Sequence, residues 1–212
     1  MSKVKKKLSG IVVWLLGVCL VPSFGYAQEF PFQVWHEGKI VLMNNDTLKG
    51  QVKYNLEGNV VQYENKQQVK AFSSQKVLYF EIFDNIFESF RYFYSLPYFV
   101  QPNYRTPILF EVLYEGPLTL LAREYTVEET VQHYGYYYRN HYSTRTRLAF
   151  DYFFLDQSGN IRKYNMKKND LFEIMKKKED EMKKFIKKNN LRYDRREDLV
   201  RTVAYYNSLI EK

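Results

Sequence analysis

The chain has 212 residues, 45% hydrophobic and 18% aromatic, with 20 Tyr, 16 Phe, one Cys and a formal net charge of +8. That length predicts one domain, or one domain with an appendage, and a core that needs no staples. The excess of Tyr and Phe favours pleated, half-buried surfaces. Four of the lysines lie in an N-terminal segment that reads as removable. Without them the charge is +4, too mild for a nucleic-acid binder, and export would also remove that compartment.

Residues 1–27 have the three parts of a secretory signal. Lys3, Lys5, Lys6 and Lys7 form the basic part, residues 8–21 the apolar part, and Gly25-Tyr26-Ala27 places small residues where cleavage before Gln28 requires them. The apolar run is short for a transmembrane span, so no span is expected in the mature chain; an uncleaved anchor helix is the alternative. Leu16-Gly17-Val18-Cys19 also resembles a lipobox, with Val18 a poor residue before the acylated cysteine. Cleavage after Ala27 removes the only cysteine. It thereby excludes a disulfide, a thiol nucleophile and a thiolate metal site.

Residues 28–37 carry Phe30, Phe32, Val34 and Trp35 and read as an edge strand or arm. Residues 39–43 form a short strand, Asn44-Asn45-Asp46 a turn, and residues 47–54 alternate strictly. Leu48, Gly50, Val52 and Tyr54 share one face, and Lys49, Gln51 and Lys53 the other, as in a half-buried antiparallel strand. Further strands are read at 60–64, 69–72, 76–83 and 87–95. Residues 96–106 hold Pro97 and Pro102, with Pro107 following, and read as a loop. The longest apolar run outside the N-terminus follows, folded back at Glu115-Gly116-Pro117 as a central hairpin. Residues 126–146 read as an insertion that interrupts the sheet, and residues 147–155 and 161–166 as a final hairpin.

The pattern changes at Lys167. Asp170-x-x-Glu173 and Asp194-x-x-Glu197 read as the starts of two helices, each with an apolar stripe. The fold class expected is α+β: a mostly antiparallel sheet over residues 28–166, with a barrel or a sandwich left open, followed by a two-helix segment over 167–212 packed on it. An export signal, the pair Gly-x-Ile-x-Leu…Asp-x-x-x-Gly-x-Val-x-Tyr at residues 38–54, and a Lys-rich helical end closing on Tyr205-Tyr206-Asn207-Ser208-Leu209 resemble uncharacterised exported β-rich proteins of Gram-negative bacteria. The resemblance implies a compartment and a fold type and carries over no catalytic residue.

Signatures of chemistry are scarce. There is no Gly-x-Ser-x-Gly, phosphate loop or Gly-x-Gly-x-x-Gly, and no cofactor or metal is expected. His133 and His141, near Glu128 and Glu129, are read as polar loop residues rather than metal ligands. Glu111, between Leu109 and Leu113, is read either as the acid/base of a hydrolase or, preferably, as the cross-strand partner of Arg123. The Lys-rich helix could make peripheral contact with an anionic membrane, although its stripe fits packing on the sheet. The most unusual segment holds Tyr134, Tyr136, Tyr137, Tyr138, Arg139, His141 and Tyr142, the palette of a binding surface. An extended hairpin with arginines beside aromatic faces is its other reading. The leading expectation is a non-enzymatic binding or scaffold protein of the bacterial envelope, periplasmic, outer-membrane-associated or secreted. Its expected partner is an envelope protein or glycan. A periplasmic assembly factor using the basic helix, and the hydrolase, are the alternatives.

Overall fold

The structure, a computed structural model, describes residues 29–211 except Tyr136 and Tyr137, without the side chains of residues 133–141. The signal-peptide and Cys19 readings lie outside the described residues. Ten antiparallel strands form one sheet: β1 (His36–Leu42), β2 (Thr47–Asn55), β3 (Val60–Asn65), β4 (Gln68–Ser73), β5 (Val77–Asp84), β6 (Ser89–Gln101), β7 (Tyr104–Tyr114), β8 (Thr119–Gly135), β9 (Tyr138–Leu155) and β10 (Ile161–Tyr164). Their order is β10-β9-β8-β7-β6-β5-β1-β2-β3-β4. The sheet does not close into a barrel; β4 and β10 are its edges.

Local chemistry explains the reversals. Asn45 takes φ 69° in the β1–β2 turn, where the Asn44 side chain accepts the Asp46 N–H at 3.2 Å. The Asp156 carboxylate accepts the N–H groups of Ser158 and Asn160 at 2.8 and 3.0 Å, and Gly159 turns the chain at φ 80°. The expected loop at 96–106 is instead a continuation of β6 and β7 around a tight turn at Pro102-Asn103. Pro97 stands opposite Pro107 in the ladder. Such a pair exchanges no N–H bond with itself. Both prolines lie where their strands have lost the second neighbour, so no donor is missed.

The sheet is rolled. Tyr54 on β2 and Glu124 on β8 are five strands apart, roughly 24 Å on a flat sheet, yet their side-chain oxygens are 2.5 Å apart. Gly38 and Gly50 face each other across β1 and β2 and permit the bend. A Cβ at Gly38 would lie 2.2 Å from the Glu81 carbonyl oxygen, and one at Gly50 2.7 Å from that of Glu64. The inner face carries one core from β1, β2, β3, β5, β6 and β7, built on Ile40, Val52, Tyr54, Phe80, Ile82, Phe93 and Leu109. A second core lies under the helices and includes Leu120, Tyr152, Phe154, Met175, Met182 and Val203. Ile108, Phe110, Leu121 and Phe153 form a smaller cluster on the outer face.

The C-terminal segment is three helices rather than two: α1 (Lys168–Ile174), α2 (Glu179–Lys188) and α3 (Arg196–Ile210), with a 3-10 turn (Lys176–Lys178) between the first two. The break falls where Lys178-Glu179 interrupts the apolar stripe. Asp170 and Asp198, each third in its helix, reach back past the N-caps Lys167 and Arg195 to the N–H groups of Asn165 and Arg192, at 2.7 and 3.1 Å, so they tie each helix to the chain before it and are not the capping-box N-caps expected of the Asp-x-x-Glu spacing. Met182 and Ile186 are buried, and Phe185 stacks on Tyr205 with centroids 3.9 Å apart, so the apolar side of α2 is spent on the core. Asn207 clasps the central hairpin: its amide accepts the Leu118 N–H at 3.0 Å and donates to the Leu118 carbonyl at 2.8 Å.

The glycine contacts predict a sharp contrast in urea unfolding. Gly38→Ala should cost about 2–3 kcal/mol, as overpacking against backbone does. Gly58→Ala, whose Cβ would meet only Asn55 at 3.5 Å, should stay within about 0.5 kcal/mol of wild type. Equal losses at the two positions would show that the bend does not depend on Gly38.

Candidate functional site

Two features stand out: a buried ionic cluster at the middle of the inner face and a two-stranded ribbon that leaves the sheet. The cluster is centred on Arg91, 2% exposed. Arg91 lies on the inward side of β6 with Phe93 and Ser95, and three acids arrive at inward positions of neighbouring strands: Asp84 on β5, Glu111 on β7 and Glu124 on β8. All five guanidinium N–H donors are used. Nε and Nη2 hold the two oxygens of Glu111 at 2.9 Å each, and Nη2 also donates to Glu124 at 2.8 Å. Nη1 donates to Asp84 and to the Tyr54 hydroxyl, both at 2.8 Å. The second Asp84 oxygen accepts the N–H groups of Ile86 and Phe87 in the β5–β6 turn. Arg196 of α3 closes the other side of Glu111 at 2.5 and 3.0 Å.

Electrostatics follows from this placement. Burial opposes the charge on Glu111, but Arg91 and Arg196 outweigh it and hold the carboxyl below its ordinary value of 4.5. Burial dominates at Glu124 and raises its value, against the pull of Arg91 and the Tyr54 hydrogen bond. Burial likewise raises the Tyr54 hydroxyl. Three carboxylates meet two arginines here, and both oxygens of Glu124 accept hydrogen bonds, from Tyr54 and from Arg91.

This arrangement corrects the expected Glu111–Arg123 pair. Glu111 stands opposite Ala122, so Arg123, one residue on, points to the other face. There it donates to the carbonyls of Leu109 and Leu56 and to Asn59. These contacts plug the split where β8 leaves β7. Glu111 has both oxygens gripped by two guanidinium groups and a lowered pKa, the opposite of a poised general acid.

The second feature is the Tyr-rich segment. It does not interrupt the sheet as expected, because β8 and β9 run on through it with His133 opposite His141 and Gln132 opposite Tyr142. β7 pairs with β8 only up to Ala122, and β10 pairs with β9 only from Tyr152. Among the described residues, the strands beyond those points have each other as sole ladder partner, a ribbon roughly 40 Å long at the usual rise. Tyr142 is 57% exposed. Arg145 and Arg147 pair with Glu129 at 3.0 and 3.7 Å. Tyr136 and Tyr137 lie outside the described residues, as do the side chains of Tyr134, Tyr138, Arg139 and His141, so Tyr142 alone of these candidates is placed with its side chain.

No family model, curated protein or solved structure matches this chain. Among the described residues, no group of three or more His, Cys, Asp or Glu could hold a metal ion, and no helix is long and apolar enough to cross a membrane. Sequence reasoning missed Arg91 and Asp84. The signal was there in the alternation, since an arginine that shares its strand face with Phe93 must meet buried acids.

The cluster predicts a pH-dependent mutant. Glu111→Gln removes the carboxylate that both Arg91 and Arg196 grip and should cost about 3–5 kcal/mol at neutral pH. Because the folded pKa of Glu111 is depressed, its contribution is complete above about 4.5 and fades as pH falls further. The gap to wild type should therefore narrow in urea unfolding at about pH 3.5; a gap equal at both pH values would refute the assignment.

Proposed function

We propose that this is an exported, non-enzymatic binding or scaffold protein of the bacterial envelope that meets its partner through the β8–β9 ribbon. The carrying observation is the ribbon itself. Two isolated strands are marginal on their own in water, their free edges are templates for pairing, and this pair bears a run of tyrosines at its end. Tyr and Arg give rigid, amphipathic contact area at low entropic cost. The body supports the same reading from the other side, because the Arg91 cluster is saturated by its own hydrogen bonds. The export signal at residues 1–27 supplies the compartment, and an envelope protein or glycan is the partner.

A photo-crosslinker placed at Tyr142 in cells should give an envelope product. The same group at Val69, 56% exposed on the distant edge strand β4, should not. The same group at Tyr125, 41% exposed at the ribbon base, should give the product too, and replacing residues 127–147 by Asn-Gly, which keeps Thr126 opposite Leu148, should abolish it and shift Tm by no more than about 3 °C, since little apolar surface is lost. Equal yields at Tyr142 and Val69, or no product at Tyr142, would overturn the ribbon reading. A protein isolated from cells with Met1 still in place would overturn cleavage before Gln28, and its recovery in the cytoplasmic fraction would overturn export.

A further inference from the structure

The outer face of β2, β1, β5 and β6, opposite the face that holds the ionic cluster, has a groove of about 610 Å³. We propose that this groove binds a neutral glycan. The argument begins with what the sheet register puts side by side. Lys49 is opposite Lys39, Lys39 opposite Glu81, and Glu81 opposite Tyr92. The neighbouring row, two residues along the strands and so about 6.8 Å away, has Gln51 opposite Glu37 and Phe83 opposite Phe90.

One side of the groove is therefore aromatic. Phe83 and Phe90 meet edge to face with centroids 5.2 Å apart and are 37% and 63% exposed, and the adjacent Tyr92 is 43% exposed. Single exposed apolar residues are ordinary, but a contiguous aromatic patch rimmed by polar groups marks a binding surface. The other side is polar, with Lys39 bonded to Glu81 at 2.9 Å and Lys49, Gln51 and Glu37 around it. The floor between the two sides is the backbone at Gly38 and Gly50, whose missing side chains belong to the inner face, where a Cβ would meet Ile82 and Tyr63.

The lining selects the ligand class. Two lysines and two glutamates cancel, so the groove attracts neither an anion nor a cation as a whole. An apolar ligand would strip water from four charged groups without replacing their hydrogen bonds, at a cost. A neutral sugar chain satisfies both walls. Its hydroxyls donate to carboxylates and accept from ammonium and amide groups, and its C–H faces lie on aromatic rings, whose faces are electron-rich. The volume is in the range of small-molecule sites.

This inference does not rest on the ribbon reading, and its test keeps the two apart. Amide shifts of the mature chain should be followed during titration with chitotetraose, cellotetraose and maltotetraose, each to about 10 mM, where even a weak site fills. At least one sugar should move Gly38, Lys39, Gly50 and Phe83 together. Phe90→Ala, at an exposed position, should weaken binding about five-fold or more with Tm unchanged, and the chain with residues 127–147 replaced should bind as wild type does. Absence of shifts with all three sugars, or shifts confined to the ribbon, would overturn the proposal. So would a dimer that Phe90→Ala dissociates without any sugar response, which would assign the aromatic face to contact between copies of the chain.

Discussion

The fold depends on one guanidinium group. Arg91 is removed from water and hydrogen-bonded to residues of β2, β5, β7 and β8, while its partner Glu111 is also held by α3. A buried cation is tolerable only when every donor is matched, because an unmatched charge in a low-dielectric interior costs several kcal/mol. The roll of the sheet is what brings the matches together. Flatten it, and Tyr54 leaves Glu124 and Arg91 by many ångströms. The cluster therefore contributes less as raw stability than as a condition: the rolled geometry satisfies these groups, and slipped or flattened alternatives strand them.

The cluster also divides the interior. The core on the β1–β6 half and the core beneath the helices occupy the same sheet face, with Arg91, Glu111 and Glu124 on strands between them. Arg196 ties the helices to this seam, and Asn207 ties them to the β7–β8 turn, where a Cβ on Gly116 would lie 2.5 Å from the Asn207 amide nitrogen. Two polar clasps thus orient an otherwise apolar contact. Hydrophobic burial is non-directional, so the angle at which α3 sits is set by these bonds.

Much of this was legible along the chain. Period-two alternation located β2 and the inner half of β9, and the hairpin at Glu115-Gly116-Pro117 stands where its turn residues put it. The misreadings have physical causes. Proline forbids a ladder bond only on the side where one is needed, and Pro97 and Pro107 sit where strands have lost a neighbour, a tertiary fact invisible locally. The helical segment split into three because Lys176-Lys177-Lys178 offers no apolar residue to the core for one turn. Arg123 looked like the partner of Glu111 because proximity on a hairpin was considered without its facing. The register places the two residues on opposite faces. Arg91 was hidden by its aromatic surroundings, yet its inward phase with Phe93 was readable.

The division of stability across the molecule bears on where binding can reside. The inner face is committed: its charges are paired, its aromatics stacked, and any ligand there would have to displace bonds that the fold requires. What remains free to vary is outside that face. The ribbon gains its order from one ladder and cross-strand pairs such as Glu129 with Arg145, each worth little when exposed, so its residues can change without cost to the core. The outer groove is different in kind. It stands on β1 and β5, whose inner faces are packed with Ile40, Phe80 and Ile82, all fully buried, so its walls are held rigidly while their exposed atoms contribute nothing to the core. A rigid scaffold with solvent-facing aromatics loses little entropy on binding a ligand, whereas a free ribbon must be ordered by its partner and loses more. The same sheet thus offers a preorganised surface and an adaptable one, and the Arg91 seam is what allows both to be built on a single rolled layer.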